Sequence, residues 1–171
     1  MILRFSSAGN RYLRDTRPVR ARTSMPTRQV QSGAKLDAFR LAREHGVVEG
    51  SVDAHRLSRL ADVLADGPAD VAWRIEGSAD AAGRPALAIE IAGSVSLICQ
   101  RCLDDLEWSV AQRTEVLLAH DERELALLDA DSSAEVVLAD APVATLTLVE
   151  DELLLALPFA PRHPEGACGA R

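Results

Sequence analysis

Aromatic side chains are scarce in this chain: two Trp, one Tyr and three Phe make up 4% of its 171 residues, so a core must be built from Leu, Val, Ile and Ala. No apolar run approaches the roughly 18 residues that a membrane-crossing helix needs. Residues 1–9 lack the apolar centre and cleavage site of a secretory signal, so the protein is expected to stay in the compartment where it is made. Three cysteines cannot all pair within one chain, and a Cys-x-x-Cys in a non-secreted protein points to metal or redox chemistry before a structural disulfide. The patterns that announce common enzymes are also missing: no Gly-x-Ser-x-Gly, no phosphate loop and no dinucleotide fingerprint. His45, His55 and His120 stand apart from any nucleophile and read as surface residues. An enzyme is not expected.

What remains is polarised. The net charge is −7, yet up to Arg43 ten basic residues face only Asp15 and Asp37. The acidic body argues against broad adhesion to nucleic-acid phosphates and favours basic partners. Residues 1–24, rich in Arg and Ser and without a sustained period, resemble either an organellar transit peptide or an extension upstream of a misplaced start, with Met25 following directly. One domain is expected over 25–171, with an irregular tail from about 159.

After Met25, Leu36, Phe39 and Ala42 share one helical face, with Gly46 as a left-handed stop. A second helix is expected over 51–67, capped by Ser51 or Asp53, with Leu57, Leu60 and Leu64 inward and Gly67 at its end. Residues 69–119 change period. Val71, Trp73 and Ile75 alternate with polar or small residues, and two more alternating runs follow, predicting an antiparallel meander with Trp73 and Trp108 in its core. Residues 122–135 read as an acidic loop, 135–140 as a short strand, and 145–158 as a helix stopped by Pro158 and capped by Thr145 or Thr147. Glu150, Asp151 and Glu152 read as a solvated helix start that complements the dipole. The fold class is α+β: an antiparallel β-meander with two N-terminal helices and one C-terminal helix.

Cys99 and Cys102 fall at the turn between the second and third long strands, where two thiols can point the same way. With His163 and Cys168, four residues apart in between, they could complete a Cys3His zinc set. The alternatives are a buried strand thiol beside a turn residue, and a thiol oxidoreductase using Cys99 and Cys102. The redox reading is weakened because thioredoxin-like pairs open a helix, whereas this pair lies in a hairpin.

"CQRCLDDLEWSV", followed by "LVEDELLLALPFAPRH" and then a cysteine, resembles the YceD family of large ribosomal RNA subunit accumulation proteins. "KLDAFRLAREHGVVEG" is similar to the opening of that family. Cys99, Arg101, Cys102 and Leu103 match the first motif, Glu150, Asp151, Glu152, Leu157 and Pro158 the second, and Cys168 the late cysteine. Some relatives carry several cysteines in the late segment, where this chain has only His163 and Cys168. Relatives also often run on past the position of Arg171, which suggests a shortened C-terminus. The resemblance implies a non-enzymatic ribosome biogenesis factor supporting accumulation of large-subunit (23S) rRNA. Its expected partners are that rRNA or basic ribosomal proteins and assembly factors, with no small-molecule substrate and no membrane. The expected location is the bacterial cytoplasm, with organellar import as the minor alternative. A structural zinc-binding module serving another client is the remaining possibility.

Overall fold

In the computed structural model, the structure describes residues 34–131 and 134–168, together with the backbone of residues 28 and 29. The expectation for residues 1–24 lies outside them. The elements run β1 (Arg28–Gln29), β2 (Lys35–Leu36), α1 (Ala38–Glu44), β3 (Val47–Asp53), β4 (Asp70–Ala79), β5 (Pro85–Ile98), β6 (Asp105–Ala119), α2 (Glu122–Asp131), β7 (Glu135–Leu138), β8 (Val143–Ala144) and α3 (Thr145–Ala156). Among the described residues the main sheet has the order β1-β3-β4-β5-β6-β7. Its four central strands form an antiparallel meander, and β1 and β7 add parallel pairings at the edges. β2 and β8 make a separate two-stranded ribbon.

Period two sets which face of the meander is buried. Val71, Trp73 and Ile75 of β4 lie opposite Gly93, Ile91 and Ile89 of β5, and Leu87 and Val95 lie opposite Val116 and Trp108 of β6. Nearly all of these apolar residues are buried in one cluster, to which α1 adds Ala38 and Ala42 and α3 adds Leu148, Val149 and Leu153. A Cβ on Gly77 would come within 2.0 Å of the Leu41 carbonyl oxygen, so the missing side chain is what lets α1 lie directly on β4.

Helix placement differs from expectation: one helix is N-terminal and two are C-terminal. Of the second helix expected over 51–67, residues 51–53 instead end strand β3, which pairs residue for residue with β4 and whose β-branched Val47, Val48 and Val52 suit that pleat, and Ala54–Arg56 form a single 3-10 turn. The Leu57/Leu60/Leu64 spacing survives as isolated helical turns, with Leu60 and Leu64 amides donating to the Leu57 and Leu60 carbonyls. Leu57 and Leu60 are buried, so the period identified the inward side chains but not a continuous helix. The expected acidic loop is α2, which buries no side chain. Asp121 accepts the Glu124 amide at 2.8 Å, and Glu124 accepts the His120 amide at 2.7 Å.

Smaller corrections follow the same logic. His45, not Gly46, takes the left-handed position after α1 (φ 48°), while the Gly46 amide donates to the Leu41 carbonyl. α3 starts without a side-chain cap, because Thr145 is turned inward and its hydroxyl donates to the Ala34 carbonyl. Trp73 is buried as expected and Trp108 packs against the same cluster.

Candidate metal centre

The hairpin joining β5 to β6 is closed by two backbone hydrogen bonds, from the Cys99 amide to the Asp104 carbonyl and from the Leu103 amide to the Cys99 carbonyl, both 2.9 Å. Leu103 takes a left-handed conformation (φ 63°) to make this turn. The chain from 161 to 168 then crosses back over the hairpin. The Gln100 amide donates to the Pro161 carbonyl at 2.8 Å, and the Arg101 guanidinium donates to the carbonyls of His163 and Pro164 at 3.2 Å each.

This clasp brings together all four residues singled out from the sequence. One donor atom from each of Cys99, Cys102, His163 and Cys168 lies within 4.8 Å of every other, a four-ligand set able to hold a metal ion. Cys99 Sγ is 3.8 Å from Cys168 Sγ, Cys102 Sγ is 3.4 Å from His163 Nδ1, and Cys168 Sγ is 3.8 Å from the same nitrogen. A tetrahedral zinc ion with ordinary bond lengths sets sulfur–sulfur edges near about 3.8 Å and sulfur–nitrogen edges near about 3.6 Å. The donors therefore fit that ion. They are too far apart for a disulfide, and all three cysteines are free.

The surroundings orient the ligands. His163 Nε2 lies 3.0 Å from the Asp105 carbonyl oxygen. Donation there places the proton on Nε2 and leaves the Nδ1 lone pair facing the sulfurs. Burial pushes the Cys99 thiol up, but the amides of Cys102, His163 and Arg101 directed at its sulfur outweigh this and bring it down to about 5. At Cys102 the Asp104 amide acts downward, and burial with the neighbouring Cys168 and Cys99 sulfurs prevails, raising it to about 11. The Cys168 and Cys99 sulfurs raise His163 above its usual value. Arg101 Nε, 3.0 Å from Cys168 Sγ, is a fixed positive charge beside the cluster. Apart from these contacts, the hairpin has only a small core of Cys99, Cys102 and Leu106, with Cys168 against it, separate from the main one.

The second motif behaves differently from its reading as a solvated helix start. Glu150, Asp151 and Glu152 lie beyond the first turn of α3, and Glu150 and Glu152 are buried. Glu150 accepts the Arg59 amide at 2.7 Å and pairs with its Nε at 3.1 Å, while Asp151 pairs with Arg59 Nη2 at 2.6 Å. These carboxylates pin the 57–64 turns to α3. His55 and His120 also have local structural partners: His55 Nε2 lies 3.0 Å from the Gly67 carbonyl, and His120 stacks on Phe39 and pairs with Glu124.

Fold and site define a two-layer α+β protein whose C-terminal tail is clasped to a hairpin around a Cys3His cluster. Among the described residues no helix is long and apolar enough to cross a membrane. Residues 87–171, from β5 through the clasped tail, match the family model described as Large ribosomal RNA subunit accumulation protein YceD, and the chain belongs to the YceD family. Comparison with curated proteins and with solved structures finds no match.

Proposed function

We propose that this protein is a non-enzymatic ribosome biogenesis factor of the cytoplasm that supports accumulation of large-subunit (23S) rRNA. It would act by contacts with that rRNA or with basic ribosomal proteins and assembly factors. Cys99, Cys102, His163 and Cys168 would hold a structural zinc ion that fastens the tail to the hairpin. The observation that carries this reading is the family match over 87–171, which spans the Cys3His clasp and α3 in one continuous segment. The zinc assignment rests on donor spacing and on the His163 tautomer. Bound zinc would neutralise thiolates that otherwise repel one another, coupling tail order to metal binding. A thiol oxidoreductase has less support, because Cys99 and Cys102 are buried in a hairpin with His163 and Cys168 closing around them, so the lowered Cys99 thiol has no access to an attacking partner.

The test is made in cells. Deleting the gene is expected to lower the ratio of large to small ribosomal subunits in sucrose gradients, or to leave precursor large-subunit rRNA, and the intact gene restores it. Unchanged profiles, in the cold as well as at ordinary growth temperature, contradict the proposal.

A further inference from the structure

α3 buries Thr145, Leu148, Val149, Glu152 and Leu153, a stripe with the i, i+3, i+4, i+7, i+8 spacing of a core-facing helix. Glu152 thus puts a carboxylate where the pattern calls for an apolar side chain. It is 3% exposed, and its Oε2 has no hydrogen-bond partner among the described residues. The Thr114 and Gln112 side chains act on this carboxylate, yet Oε2 keeps a free acceptor, and a buried carboxylate so placed is costly and needs an explanation.

Glu152 lines a groove of about 510 Å3 between α3 and β7. Its walls are apolar, with Ile89, Val116, Val136 and Leu148 among them, and exposed Asp129 and Leu155 stand along it. Glu135 and Asp151 add further negative charge. Arg59, the one basic residue lining the groove, is already engaged by Glu150 and Asp151. The groove has no set of three carboxylates close enough to cage a bare metal ion, since the Cys3His cluster is the one such group among the described residues.

We infer that this groove is a docking site for a lysine or arginine side chain of a basic protein partner, the alkyl stem lying along the apolar walls and the charged head meeting Glu152. Long basic side chains have that division of character, an apolar stem carrying a cation. The wider field favours the same occupant. Of the 19 basic and 26 acidic residues, ten and two precede residue 44, so the rest of the chain has nine against 24, a balance of −15. That field attracts a basic protein and repels phosphates. The inference deepens the assembly reading by giving its basic partner a surface, and it does not depend on zinc.

The experiment uses the full chain and a fluorescein-labelled lysine decamer, with binding followed by fluorescence polarisation at physiological salt. Glu152→Gln keeps the shape and removes the charge; Glu107→Gln removes one exposed charge elsewhere. Glu152→Gln is expected to weaken binding about tenfold, and Glu107→Gln less than about twofold. Leu155→Lys, which places a competing cation at the groove without touching the buried stripe, is expected to weaken it as well. Amide spectra of each variant confirm that it is folded, and in the wild type the decamer is expected to shift Val137 and Leu155. Equal weakening by both charge variants overturns the inference. So does an RNA decamer whose binding depends on Glu152, or a dimer in sedimentation that Leu155→Asp dissociates. Because the difference between Glu152→Gln and Glu107→Gln reports on the groove, its failure leaves the subunit profiles untouched, and the reverse also holds.

Discussion

Leu103 carries two facts that conflict: it has a side chain, and it sits at φ 63°. A left-handed L residue costs about 1–2 kcal/mol, and with 61% of Leu103 exposed little burial is gained in return. Leu103→Gly is therefore expected to raise stability by about 0.5–1 kcal/mol, net of the added chain entropy of glycine, as read from urea midpoints; a loss of stability would show that Leu103 makes contacts that matter more than its backbone strain. Glu152 gives a second test. Burial raises its carboxyl above the ordinary 4.5, with Glu135 and Asp151 acting in the same direction and the Thr114 and Gln112 side chains opposing. Arg59 and Asp129 also line the space in front of it. Between 4.5 and the higher folded value the native state holds more protons than the unfolded one, so this group's contribution declines as pH rises through that window. The wild type is expected to lose stability relative to Glu152→Gln from about pH 4.5 upward, and parallel curves for the two proteins would contradict it.

The tail from 161 to 168 has little of its own to hold it. Hydrogen bonds from Gln100 and Arg101 and a few sulfur contacts fasten it, and the hairpin core is only three residues. Removing the proposed zinc with a chelator is expected to expose the bond after Arg162 to trypsin at a rate several times higher, while cleavage within the meander stays slow; identical rates with and without chelator would mean that the clasp needs no metal. At the other end of the fold, Gly77→Ala must push α1 off β4 and is expected to cost about 1–3 kcal/mol, measured by thermal unfolding. These elements were not equally legible in the sequence. The long strands were, because each carries its own period of two, and α3 was, because Leu148, Val149 and Leu153 mark a stripe. β3 was not, because its identity depends on pairing with β4 some twenty residues later, which no local pattern encodes. α2 was missed because it buries no side chain fully and only Leu125 and Leu128, three apart and half-buried, mark an inner face, although the Asp121–Glu124 spacing was a signal of its start. The burial of Glu150 depends on Arg59, 91 residues away in sequence. By contrast, Cys99, Cys102, His163 and Cys168 could be picked out because so few ligating residues compete with them.

Charge is divided along the chain. Up to residue 43 the balance is positive, and beyond it the body is strongly negative. After Met25, any direct rRNA binding is then expected to depend on the one basic stretch there, Arg28, Lys35, Arg40 and Arg43, and to weaken steeply with salt. Arg40 also pairs with Glu44 at the surface, a contact weak enough to yield to a phosphate. Neutralising all four should weaken RNA binding and flatten its salt dependence in a gel-shift assay; affinity and salt slope that survive the change would place the RNA contact elsewhere. The hairpin and the returning tail carry the central proposal, that their four donors close on a single zinc ion. Elemental analysis of the untagged full chain, purified in reductant, tests it most directly. The expected result is close to one zinc per chain, lost in both Cys99→Ser and Cys168→Ser; a reduced, folded protein with no bound metal would contradict it.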